Sequence, residues 1–254
     1  MSARAVARSS PAEPLVGGPT HLGLLKGFEL RQGTKQIRLP LSAQRLLAFL
    51  ALHDKPLQRL YVAGTLWLES SQDAANASLR TALWRLRRPG SVLVEATPTE
   101  LSLADRVVVD LRETAETAKR VLAHDGQSSD LGMLCVAGDL LPDWYDDWLI
   151  VERERFRQLR LHALESLAED LAAGGQFAAA AEAALAAIAA EPLRESAHRA
   201  LVRLHLAEGN VGEAIRQYTV YENLLRDELG LEPSPSMQSL VRSLPHADET
   251  RRRA

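Results

Sequence analysis

An α+β module followed by an all-α module is the fold class this sequence predicts, and three observations carry it. Through residue 103 the chain alternates short apolar stretches with Gly- and Pro-containing turns, interrupted by three segments of helical periodicity. From Val109 onward strand patterns vanish and apolar residues recur at helical spacing. Within that second part, Gly175–Ala180 (GQFAAA) and Gly209–Ala214 (GNVGEA) repeat one another at an offset of 34 residues, the period of a helix–turn–helix repeat.

The elements follow in order. Leu22–Leu25, Phe28–Leu30 and Ile37–Leu39 are short apolar stretches separated by Gly23, Gly27 and Gly33. Arg31–Thr34 reads as the turn between two strands of a small antiparallel sheet. From Ser42, Leu46, Phe49, Leu50 and His53 fall at helical spacing, and the Ser42 hydroxyl is placed to cap the first turn. Asp54-Lys55-Pro56 stops this helix. A second helix runs from about Arg59 to Trp67, and a third from about Asp73 to Arg88, ended by Pro89-Gly90. Val92–Glu95 and Glu100–Leu103, joined at Thr97-Pro98-Thr99, form a hairpin. Sheet, three helices and a hairpin make a winged helix-turn-helix, in the sheet-first version found in response-regulator output domains.

Beyond it, Asp110–His124 reads as one amphipathic helix, and Gly126–Asp130 and Gly138–Pro142 as loops. A long helix starts near Asp143, with Trp148, Phe156, Leu159, Ala163, Leu167 and Leu171 on its inner face. Arg153, Arg155, Arg157 and Arg160 are expected largely off that seam. Ten of the fourteen residues from Phe177 to Ala190 are alanine, yet the repeat register survives: Leu164 matches His198, Leu167 matches Leu201, Ala184 matches Tyr218. Gly230 is expected as a left-handed helix cap, and Ser234-Pro235 opens a last helix to about Leu244. The resulting domains are a tail (1–19), a winged helix-turn-helix (20–106), a tetratricopeptide-like helical domain (107–245) and a second tail (246–254).

Composition excludes several classes. The 254 residues are 46% hydrophobic and 25% charged, the balance of an ordinary globular chain, and no apolar run reaches bilayer length. Cys135 is the sole cysteine, so a disulfide framework and a cysteine-based zinc site are ruled out. A buried small hydrophobe is its expected role. A cytoplasmic location is expected. The net charge of −3 conceals an asymmetry: residues 1–110 carry +5 and the remainder −8, which suggests different partners for the two halves.

The third helix, DAANASLRTALWRLRR, carries the functional expectation. Ala75, Leu79, Ala82, Leu83 and Leu86 share the core-facing side. Ala77, Arg80, Thr81, Trp84 and Arg88 face outward, with Arg85 at one edge and Arg87 near Arg80. Asn76, Ser78 and Thr81 make a short polar front. Asn and Arg can read base edges while flanking arginines grip phosphate, so the expected DNA-binding set is Asn76, Arg80, Thr81, Trp84, Arg85, Arg87 and Arg88. The alternative for such a helix taken alone is a solvated surface. For the chain as a whole it is a repeat-type protein-interaction adaptor without specific DNA binding.

Enzyme chemistry finds no support. The phosphate-loop, dinucleotide-binding and nucleophile-elbow motifs are absent. The seven histidines are scattered, with His198 and His205 on one helix as core or groove positions, and no metal site is expected. Asp143, Asp146, Asp147 and Glu152 suit the positive end of the long helix, and Trp144 and Trp148 read as core anchors.

The chain resembles the Streptomyces antibiotic regulatory proteins, in which a winged helix precedes a bacterial transcriptional activator domain. The resemblance rests on Gln44–Ala48 (QRLLA), Leu66-Trp67, Ala77–Arg88, Gly138–Pro142 (GDLLP), Asp147-Trp148, Glu152–Arg155 (ERER), Glu191–His198 (EPLRESAH), Ala207–Asn210 (AEGN) and Leu225–Ser234 (LRDELGLEPS). It implies an activator that binds direct repeats near the −35 element of secondary-metabolite promoters and recruits RNA polymerase holoenzyme, sigma factor included, without a cofactor. It implies DNA contacts from Arg80, Arg85, Arg87 and Arg88. Trp84 departs from the small polar residue expected there. No sustained heptad seam exists, so a monomer or weak dimer is expected in solution and a head-to-tail pair on direct repeats.

Overall fold

The structure is a computed structural model that describes residues 19–87 and 92–242. The expected tails, Pro19 apart, lie outside the described residues, as do Arg88 and the Pro89-Gly90 helix stop. The chain divides into two units: one of Phe28–Val109 with the chain up to Leu24, the other of Asp110 onward with Leu25–Gly27.

In the first unit, β1 (Thr20–Gly23), β2 (Glu29–Gln32) and β3 (Lys35–Gln36) form antiparallel neighbours. Gly33, at φ 58°, makes the tight turn between β2 and β3. Ile37–Leu39 does not extend β3; only the Ile37 amide continues the pairing, donating to the Leu30 carbonyl at 2.7 Å. The helices α1 (Leu41–Ala51), α2 (Arg59–Leu66) and α3 (Gln72–Leu86) follow, then β5 (Val94–Ala96) and β6 (Glu100–Leu103) as the expected hairpin. The order sheet, three helices and wing is the winged helix-turn-helix of the output-domain type.

Two strands were not legible in sequence. The two-residue β4 (Leu57–Gln58) joins the wing through β6. Val107–Val109, residues placed by sequence with the helical domain, form β7, which lies parallel to β1 and completes a sheet of order β3-β2-β1-β7. A parallel partner 87 residues away leaves no local turn signature. Ser42 is not the cap of α1 either. The helix starts one residue earlier, after Pro40, whose carbonyl accepts from the Ala43 and Gln44 amides. Leu46, Leu47, Phe49 and Leu50 of α1, Val62 and Leu66 of α2, and Leu101 of the wing are almost fully buried, and α3 packs on both α1 and α2.

The second unit is all-helical: α4 (Asp110–Leu122), α5 (Asp130–Val136), α6 (Asp147–Ala173), α7 (Phe177–Ala190), α8 (Glu195–Ala207), α9 (Val211–Leu229) and α10 (Pro235–Arg242). The two copies of the repeat are the hairpins α6–α7 and α8–α9. Their turns hold Gly175 and Gly209 at φ 72° and 79°, and the matching Ala180 and Ala214 are buried where the helices approach. Leu164, His198, Leu167 and Leu201 occupy equivalent core positions. Gly230 caps α9 in the left-handed conformation, and the Ser234 hydroxyl caps α10 by accepting from the Met237 amide at 3.3 Å.

The long helix departs from expectation in two ways. It begins at Asp147, not Asp143, after an Asp146 carboxylate that accepts from the Trp148 indole at 3.1 Å. Trp144 and Trp148 meet edge to face, 6.4 Å between ring centroids, and both are half-buried. Its arginines do not all stay off the seam. The Arg153 guanidinium donates to the Leu140, Leu141 and Trp144 carbonyls. Arg160 is buried, donating to the Leu134 carbonyl at 2.9 Å and to the Cys135 carbonyl at 3.4 Å. These are the last carbonyls of α5, which have no partner within so short a helix. Cys135 itself is half-buried against the core, and burial pushes its thiol above the ordinary value. Among the described residues no helix is long and apolar enough to cross a membrane, and no three His, Cys, Asp or Glu side chains group at metal-binding distance.

Candidate nucleic-acid interface

Helix α3 is anchored at its start by Ser71, whose hydroxyl accepts from the Ala74 amide, with Asp73 in the positive first turn. Ala75, Leu79, Ala82 and Leu86 are buried on its inner side, whereas Leu83 is only half-buried. That burial fixes which residues can face outward. Ala77, Arg80, Thr81, Trp84, Arg85 and Arg87 are exposed, and Trp84 is 71% exposed.

The structure brings some of the sequence-derived set together and separates others. Ala77, Arg80, Thr81, Trp84 and Arg87 line one groove of about 650 Å³. The Thr81 hydroxyl donates back to the Ala77 carbonyl at 3.0 Å. Asn76 and Ser78 are half-buried at the flanks, so the polar front is reduced to Thr81. Arg85 lies on the opposite edge from Arg80 and Arg87, its guanidinium donating to the Ser42 hydroxyl at 3.3 Å. Arg88 is outside the described residues. Among the described residues, no carboxylate pairs with Arg80 or Arg87.

Arg59 completes the groove and was missed from sequence, where it marks only the start of a helix. Its amide donates to the Thr99 carbonyl at 2.8 Å and its guanidinium to the Thr97 carbonyl at 3.2 Å. It reaches the wing because β4, immediately before it, pairs with β6. No signal in the neighbouring residues announces that pairing. A smaller, mainly apolar cleft of about 240 Å³ lies between α3 and β5, with Arg59 and Arg87 among its lining residues. The wing tip is neutral and self-satisfied, the Thr97 hydroxyl accepting from the Thr99 and Glu100 amides. Its flanking strands add Glu95 and Glu100 rather than positive charge.

A sheet-first winged helix joined to a helical-repeat unit is the architecture of a DNA-binding transcriptional regulator. Residues 103–244 match the bacterial transcriptional activator domain. The chain belongs to that family, in the two-part arrangement of the Streptomyces antibiotic regulatory proteins. The regulatory protein AfsR of Streptomyces coelicolor is 30% identical over 264 residues, covering 94% of this chain and 25% of the relative. AfsR of Streptomyces griseus is 26% identical over 196 residues, 72% of this chain and 20% of the relative. The chain thus spans a quarter or less of the length of these relatives. The structure of Mycobacterium tuberculosis EmbR in complex with a low-affinity phosphopeptide has the same fold, with a TM-score of 0.67 at 20% identity, over 92% of this chain and 68% of that one.

Proposed function

We propose that this transcriptional activator binds promoter DNA sequence-specifically by seating α3 in the major groove, head-to-tail on direct repeats near the −35 element. The observation that supports this reading most is the outer face of α3: Arg80 and Arg87 are exposed with no carboxylate partner among the described residues, beside Arg59, on a helix anchored by its buried side. Arg80, Arg87, Arg59 and Arg88 neutralise phosphates. Asn76 and Arg85, at the flanks, contact base edges or phosphates only where the groove wall reaches them.

Replacing Arg80 or Arg87 by Ala should weaken binding to every duplex, by about tenfold each at moderate salt. It should also make the slope of log affinity against log salt shallower by about one per lost phosphate contact. Fluorescence anisotropy at several salt concentrations measures both. Unchanged affinity and slope in both variants would remove α3 from the interface.

The second part of the proposal is that the helical unit recruits RNA polymerase holoenzyme, sigma factor included, at promoters of secondary-metabolite genes. Its support is the −8 balance of residues 111–254, which is repelled by DNA and complementary to basic protein surfaces. In a reconstituted transcription reaction on a direct-repeat promoter, the full chain should raise transcript yield, and a chain ending at Val109 should bind without doing so. Equal activation by the shorter chain, once shown to be folded, would place recruitment in the winged helix alone.

A further inference from the structure

Among the described residues of α3, Trp84 is the only large apolar side chain left exposed, and it sits at the middle of the outer face. Ala77 and Thr81, seven and three positions earlier, lie on the same row of the helix. The row offers little hydrogen bonding. Ala77 has none, Thr81 directs its hydroxyl proton to the Ala77 carbonyl, and an indole has one donor and no acceptor. Arg80 and Arg87 stand on one side of this row, and Arg59 lines the same groove and shares the neighbouring cleft with Arg87. The face therefore combines a positively charged margin with an apolar centre.

Such a centre has one natural counterpart on duplex DNA. In the major groove every base pair presents hydrogen-bonding groups, and thymine adds to its O4 acceptor a 5-methyl group, the single apolar protrusion there. We infer that Trp84 is a specificity-determining residue that packs its indole against the 5-methyl group of a thymine, selecting T·A at that step of each half-site while the arginines hold the backbone. This rests on the proposed seating of α3 in the major groove. An indole used instead as a wedge between base pairs, or as a hydrogen-bond donor to a base oxygen or nitrogen, would be indifferent to the methyl group.

The test removes that group alone. A preferred duplex is first enriched from a random pool with the full chain, and each thymine in it is then replaced singly by deoxyuridine. The wild-type chain should lose about fourfold in affinity at one thymine per half-site, the weight of one methyl-sized apolar contact. In Trp84→Ala the same replacement should have no effect, and in Trp84→Phe a reduced effect should remain. The side chain is largely solvent-exposed, so both variants should keep the far-ultraviolet circular dichroism of the parent. Insensitivity of the wild type at every thymine, or equal losses in wild type and Trp84→Ala, would overturn the inference. Arg80→Ala run in parallel separates the two levels: weakened binding there together with no methyl effect leaves α3 in the groove and removes Trp84 as the reader. Failure of the wild type to bind any duplex would overturn both.

Discussion

Arg160→Ala should lower the stability of the helical unit by ~3 kcal/mol, the larger of the two strongest effects expected here. Arg160 is 9% exposed, so the change removes a packed aliphatic stem as well as the guanidinium. The Leu134 carbonyl, met at 2.9 Å, and the more distant Cys135 carbonyl would lose their donor at the end of α5. Burial pulls the guanidinium below its ordinary value, and the nearby Asp139 opposes that pull. The charge is therefore tolerated because carbonyls and a carboxylate face it. Arg160→Met restores most of the volume without the donors, and it should recover only the packing share of the loss. Urea midpoints of the full chain, followed by far-ultraviolet circular dichroism, measure both variants. A loss below ~1 kcal/mol in Arg160→Ala would mean that water replaces the guanidinium at α5.

His198→Ala should cost ~2 kcal/mol, and the parent residue should make stability depend on pH. His198 is 2% exposed and stacks on Tyr221 with 4.4 Å between ring centroids. Its Nε2 donates to the Pro192 carbonyl at 2.9 Å, and its Nδ1 accepts from the Gln217 amide nitrogen at 2.8 Å. That pattern uses the neutral ring fully, and a proton on Nδ1 would confront the amide donor. Burial holds the folded imidazole below its ordinary value, against a smaller opposing effect from the Pro192 hydrogen bond. The unfolded chain therefore takes up this proton first as the pH falls. The stabilisation is fully present above the ordinary imidazole value of about 6.5 and is lost as pH falls through the lowered folded value. In His198→Gln this component of the pH dependence should vanish. An unchanged acid profile in that variant would assign the loss to other groups.

His198 also illustrates what the sequence made legible. The 34-residue register matched it to Leu164, a core position, and both are buried. The same register placed the glycines of both hairpin turns. Periodicity likewise defined the buried side of α3 and, by elimination, its outward arginines. Asn76 was harder to place. It lies only about a hundred degrees from the centre of the outer face, and partial burial by neighbouring elements, which no local pattern encodes, moved it to the flank. Arg153 and Arg160 were misplaced for a related reason. Charged side chains read as solvated unless something buried needs their donors, and the carbonyls that need them lie up to 26 residues away.

By itself, then, the sequence determined a winged helix-turn-helix with an arginine-bearing third helix and a helical repeat after it, because helical and strand periodicities, glycine turns and proline stops are local properties of a chain. Only the tertiary structure decided that β7 returns to pair with β1, that Arg59 joins the α3 groove through β4, that Arg85 turns toward Ser42 while Trp84 stands exposed, and that Arg160 serves the end of α5. Each depends on hydrogen bonds between residues distant in sequence or on which side of a helix its neighbours cover, and those are fixed only when the elements pack.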